Sequence, residues 1–199
     1  MTVIAPHGTG TAAGSGTAAG SGTGAPRLGF ARRIGQAATL LPVSVAAVGA
    51  LAAGRPDAAR RWWARIAEQG PAPTAERRPG AARLLAHGLL AVPLGLLTLI
   101  PIGAEVLFVL RGVLYPLVEP GPYTTSWGGP STGGAWLAHF GVGLPTAAAG
   151  LGLLWLLHRL HARLAGGMWG HRVGAWPFVA TVAALGAGVL LVNAWLHQL

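Results

Sequence analysis

Cysteine and lysine are both missing from this chain of 199 residues, and acidic residues number only five. Without Cys there is no disulfide framework, no thiolate metal site and no thiol nucleophile. Charged residues make up 10% of the chain, too few to coat an ordinary soluble domain. A Gly-rich phosphate loop, a kinase catalytic signature and a metalloprotease His pair are also missing, so no enzyme activity, cofactor or metal site is expected.

What is present is apolar surface. Hydrophobic residues make up 52% of the chain, and the mean hydropathy is +0.53. Residues 84–110, 136–157 and 176–195 each meet the length of about 20 apolar residues that a hydrocarbon core of roughly 30 Å demands. Backbone groups in lipid must be satisfied internally. The expectation is therefore an all-α polytopic integral membrane helical bundle in the plasma membrane, with three strong transmembrane helices and one weak one. The weak one is 34–53, diluted by Gln36, Pro42 and Ser44, which spans, lies shallow or forms a short re-entrant hairpin near Pro42.

The remaining sequence divides by composition. Residues 1–27 form a Gly/Ala/Ser/Thr-rich tail in which TAAGSG occurs twice, expected to be disordered because it has too little apolar surface to offset its ordering entropy. Seven of the fourteen Arg residues fall between 55 and 83. Within that stretch an interfacial helix is expected at about 56–69. Ala59, Trp62, Trp63 and Ile66 share one face, and Arg60, Arg61 and Arg65 take much of the rest. Arg60, Arg61, Trp62, Trp63 and Arg65 are candidate lipid-interface residues, the guanidinium groups meeting anionic lipid phosphates. Residues 70–80, with three prolines, read as an irregular linker.

The positive-inside rule makes 55–83 cytoplasmic, 111–135 external, and 158–175, with Arg159, Arg163 and Arg172, cytoplasmic. The basic balance of +9 is thus assigned to topology and the lipid bilayer, and no nucleic-acid partner is expected.

Few polar residues lie in the spans. Glu105 is the only acid within the strong ones, and His139 lies one turn into the next span, so the two form a candidate sensing or structural polar pair near the external face. His158 and His161 are assigned to end-capping and lipid contact, while His87 is solitary and gives no assignable chemistry. The external loop is the most distinctive segment. Its Pro and Gly residues bar a continuous helix, and Tyr115, Glu119, Tyr123, Ser126 and Trp127 are its candidate functional residues.

At this loop the sequence resembles the membrane-embedded sensor domains of histidine kinases from high-GC Gram-positive bacteria. The carrying residues are Tyr115 and Pro116, the run SWGGPSTGGAW at 126–136, His139, and LHRLHARLAGG at 157–167. The likeness covers about residues 28–167. It implies an apolar hairpin, a basic linker and a second hairpin around a short external connection. Two features depart from it: the first apolar region is short, and the span 176–195 stands where a kinase module follows in that family. The implied role is a stand-alone sensor-like protein, giving signal input or scaffolding through a separate kinase or other membrane signalling protein. The alternative is a small transporter or permease component, with Glu105 and His139 lining a polar path.

Overall fold

A computed structural model describes residues 29–66 and 78–198. The expected tail at 1–27, the end of the predicted interfacial helix and most of the 70–80 linker lie outside those residues. Every regular element described is helical: α1 (Phe30–Ala38), α2 (Leu40–Ala52), α3 (Pro56–Ile66), α4 (Ala81–Leu97), α5 (Leu99–Leu107), a π-helical turn (Phe108–Val113), α6 (Tyr115–Val118), α7 (Thr132–Met168) and α8 (Trp176–Leu196).

Three stretches are long and apolar enough to cross a membrane: Ala81–Val113, Thr132–Met168 and Trp176–Leu196. Their outward side chains are large and apolar, among them Leu89, Val182, Val189 and Leu190, each more than 60% exposed. Apolar surface on that scale belongs in lipid, and the chain is an all-α membrane protein. A fourth crossing is made if the bent pair α1 and α2 counts as one span.

That bend, and the break between α4 and α5, have one local cause. The chain reads Thr-Leu-Leu-Pro at 39–42 and Thr-Leu-Ile-Pro at 98–101. Proline offers no N–H to the carbonyl four residues earlier, and its ring presses on it. Those carbonyls belong to Ala38 and Leu97, the last residues of α1 and α4. Each Thr hydroxyl then donates back along the helix, Thr39 to the Gly35 and Gln36 carbonyls at 3.1 Å and Thr98 to the Gly95 carbonyl at 2.6 Å. The first break bends the chain by 51°.

The two breaks pack together. At Gly95 an added Cβ would stand 2.7 Å from the Leu41 Cα, so only glycine lets α4 approach the α2 backbone so closely. One level away, Gly88 faces the side chains of Val48 and Trp63. The rising numbers on α4 against falling numbers on α2 make the two helices antiparallel. On the other side of the bundle, Phe108 packs at Gly143 and Trp136 reaches Val113, which sets α5 and the π-turn antiparallel to α7. For orientation, the end carrying 119–131 is the loop end, and the end carrying α3 is the arginine end.

The buried core lies mostly at the arginine end, where Ala59, Trp63, Ile66, Leu84, Leu157, Leu160, Leu164 and Met168 form one cluster. This corrects one expectation. The face of α3 carrying Ala59, Trp63 and Ile66 packs against the other helices and not into lipid, and Trp63 is completely buried. The periodicity reports an apolar face, and a protein core covers such a face as well as a membrane does. α8 is peripheral. It touches α4 and α7, and Gly188 lies at the Leu97 side chain.

Candidate functional site

At the loop end the π-turn, α6, the Pro/Gly-rich loop and the first turns of α7 enclose a cleft of about 690 Å³. That lies within the usual size range of small-molecule sites. Tyr115, Glu119, Tyr123, Ser126 and Trp127 all line it, and so does His139. The structure therefore gathers every loop candidate around one space.

The cleft is built from the helix irregularity upward. Between Phe108 and Val113 the hydrogen bonding widens by one residue, and the Leu114 N–H donates to the Val109 carbonyl at 2.8 Å. A π-turn redirects the side chains that follow, and such turns are frequent at functional sites. Here it aims Arg111 at the cleft and presses Phe108 against Gly112 and Gly143, positions where a Cβ would come within 2.6 Å of the ring. The Trp136 indole donates to the Val113 carbonyl at 3.2 Å and stacks on Phe140, tying α7 to the end of the turn.

On the α7 wall His139 stacks on Tyr115 with centroids 4.0 Å apart and planes at 18°. Its Nδ1 lies 2.8 Å from the Ala135 carbonyl. A carbonyl can only accept, so Nδ1 carries a proton. Across the cleft the Tyr123 hydroxyl donates to the Glu119 carbonyl at 2.6 Å, which closes the loop on itself. Arg111 and Glu119 are 3.7 Å apart and both about half exposed. Such a pair is loose, worth about 0–1 kcal/mol, and opens readily to other partners. The Ser126 hydroxyl oxygen is buried with no hydrogen-bond partner among the described residues. Trp127 stands at the rim, 87% exposed.

The loop's return into α7 depends on small residues. Gly128 lies against the Gly134 carbonyl so closely that no Cβ fits, and the Ser131 side chain caps α7 by accepting from the Gly134 N–H at 3.1 Å. The SWGGPSTGG run is thus the device that fixes the loop over the cleft.

Glu105 and His139 do not meet. Antiparallel pairing puts Phe108 level with Gly143, and the Glu105 side chain extends away from the loop end to Gly150, where a Cβ would stand 2.6 Å from its Oε1. Gly150 is eleven residues from His139, about 16 Å along a helix. Glu105 Oε1 is buried without a hydrogen-bond partner among the described residues, and His139 is engaged by Ala135 and Tyr115. Sharing one connection fixes where two helices join, whereas depth along them depends on residue count from that point.

At the arginine end Arg60 is turned inward. It pairs with Asp57 at 2.6 Å and donates to the Pro79 carbonyl from both Nε and Nη2. Arg61 and Arg65 remain exposed, and the Arg65 guanidinium lies over the Trp62 ring at 4.4 Å. Trp63 meets His87 edge-on at 5.0 Å, and His87 Nε2 lies 3.3 Å from His161 Nε2. One imidazole must donate and the other accept. His87, His158 and His161 are all buried, correcting their reading as solitary or lipid-facing residues. The missed signal was available: His87 and His161 lie near the arginine ends of adjacent helices. No group of three or more metal-binding side chains occurs among the described residues. Comparison with family models, curated proteins and solved structures finds no match to this chain.

Proposed function

We propose that this chain is a sensor-like protein of the plasma membrane, receiving its input at the loop-end cleft and passing it through the arginine end to a kinase or other membrane signalling protein. One observation carries the reading: Tyr115, residues of the SWGGPSTGGAW run and His139, which carry the resemblance to kinase sensor domains, converge on one cleft. The distribution of Arg orients the loop end outward and the arginine end inward.

The mechanism is a shift in helix packing. The π-turn wall of the cleft continues directly into α5, and α5 meets α4 at the Thr98 break. A change at Arg111 or Phe108 moves α5 about that break, and α4 carries the movement to His87. A switch of this kind requires α5 to have a second packed arrangement about the Thr98 break.

The chain has no native Cys, so position-specific labelling is clean. His171 lines a second cleft, of about 430 Å³, with Arg83 and His87 at the arginine end. In a His171→Cys background, Tyr115→Ala should change the maleimide labelling rate several-fold. An unchanged rate with either Tyr115→Ala or His139→Ala would sink the coupling.

A second reading, a small transporter component, is favoured by Glu105 Oε1, which is buried within a span and has no hydrogen-bond partner among the described residues. Carboxylates in that position mark ion and proton paths. It calls for proton or cation flux in proteoliposomes that Glu105→Gln abolishes. The sensor reading calls for none.

A further inference from the structure

Independently of the loop-end cleft, we infer that the arginine end carries a specific site for the phosphate headgroup of an anionic phospholipid. Where α3 folds against the last turns of α2, a small cleft of about 290 Å³ is lined by Ala50, Arg55, Ala58, Arg61, Trp62 and Arg65. Three of its six residues are guanidinium groups, and none is acidic. Three like charges facing one small space repel one another, and an anion placed between them converts that repulsion into attraction. Guanidinium groups are shaped for phosphate, to which they donate two parallel hydrogen bonds.

The surrounding residues define the site more narrowly than a general basic surface would. Arg60, next in sequence to Arg61, is held out of it by Asp57 and the Pro79 carbonyl. Arg65 lies over the Trp62 ring at 4.4 Å, a cation–π contact that fixes its direction. Ala50 and Ala58 are small enough to leave the space open. Depth points to lipid as the source of the phosphate: Ala50 lies in the last turn of apolar α2, and Arg55 follows its end. The cleft thus sits at headgroup level beside a tryptophan, the residue enriched at that level.

The test uses the full chain in uncharged detergent, with tail-labelled phosphatidylglycerol followed by fluorescence anisotropy. Phosphatidylglycerol should bind at least tenfold more tightly than tail-labelled phosphatidylcholine, and more weakly as salt rises. Combining Arg61→Gln with Arg65→Gln should weaken binding about thirtyfold, the ratio expected for two basic residues at an anionic surface. Arg163→Gln, an exposed arginine outside the cleft, should change it less than twofold. If the double variant does not fold, Arg55→Gln alone, before the first turn of α3, should cost about fivefold. Equal binding of both lipids, no loss in the cleft variants, or an equal loss with Arg163→Gln overturns the site. Displacement of the lipid by inorganic phosphate at equal concentration overturns its assignment to a membrane lipid.

Discussion

At the arginine end Trp63 points into the bundle, whereas at the loop end Tyr115, Tyr123 and Trp127 border a space. Trp63 is completely buried, with its edge against His87, and the main apolar cluster forms around it. Trp127 is 87% exposed on the rim of a cleft whose wall is the Tyr115 and His139 stack. The main cluster of buried apolar side chains lies at the arginine end, and the loop-end aromatics border open space. Stability should therefore be lost most at the arginine end.

The largest effect is expected for Trp63→Ala, which empties the centre of the core cluster and should cost about 3–5 kcal/mol in a detergent unfolding assay. A loss below about 1 kcal/mol would mean that Trp63 is not the keystone of that end and would remove the contrast. Gly95→Ala comes next. Its new Cβ would press on the Leu41 backbone, and overpacking of this kind costs about 1–3 kcal/mol. Retained stability would show that the two helix breaks can move apart.

The division between the ends was only partly legible in the sequence. The three long spans were visible because bilayer thickness sets a length that composition either meets or does not. The amphipathic face of α3 was visible too, but periodicity records that a face is apolar and not what covers it. Trp62 and Trp63 are neighbours with the same chemistry, and a rotation of 100° about the helix puts one beside Arg65 and the other in the core. The loop residues were picked out by composition, and their convergence on one cleft depended on a π-turn that no sequence period announces. The bend at Thr39 falls beside Pro42, where the sequence places a re-entrant turn, whereas the matching break at Thr98 is absent from that reading. The repeated Thr-Leu-Leu-Pro and Thr-Leu-Ile-Pro name the bend sites directly, since each proline marks a carbonyl four residues back.

A smaller effect is expected from the buried imidazole pair. His87 and His161 approach at 3.3 Å between helices α4 and α7, and interhelical hydrogen bonds within membrane proteins average about 0.6 kcal/mol. A double-mutant cycle of His87→Ala and His161→Ala should give a coupling of that order, with the combined loss smaller than the sum of the single losses. Strict additivity would mean that the rings merely pack side by side.

The smallest stability effect should come from Trp127→Ala, and it sharpens the comparison because it removes the same side chain as Trp63→Ala. With 87% of its surface already exposed, Trp127 leaves almost no buried contact to lose. The change should stay within about 0.5 kcal/mol, as for surface substitutions without a packing role. The same variant in a His171→Cys background should nevertheless alter labelling at the arginine end if the rim of the cleft is part of the input. A large stability loss would make the loop a structural cap. No change in either measurement would leave Tyr115, His139 and Arg111, on the inner wall, as the groups through which any occupant must act.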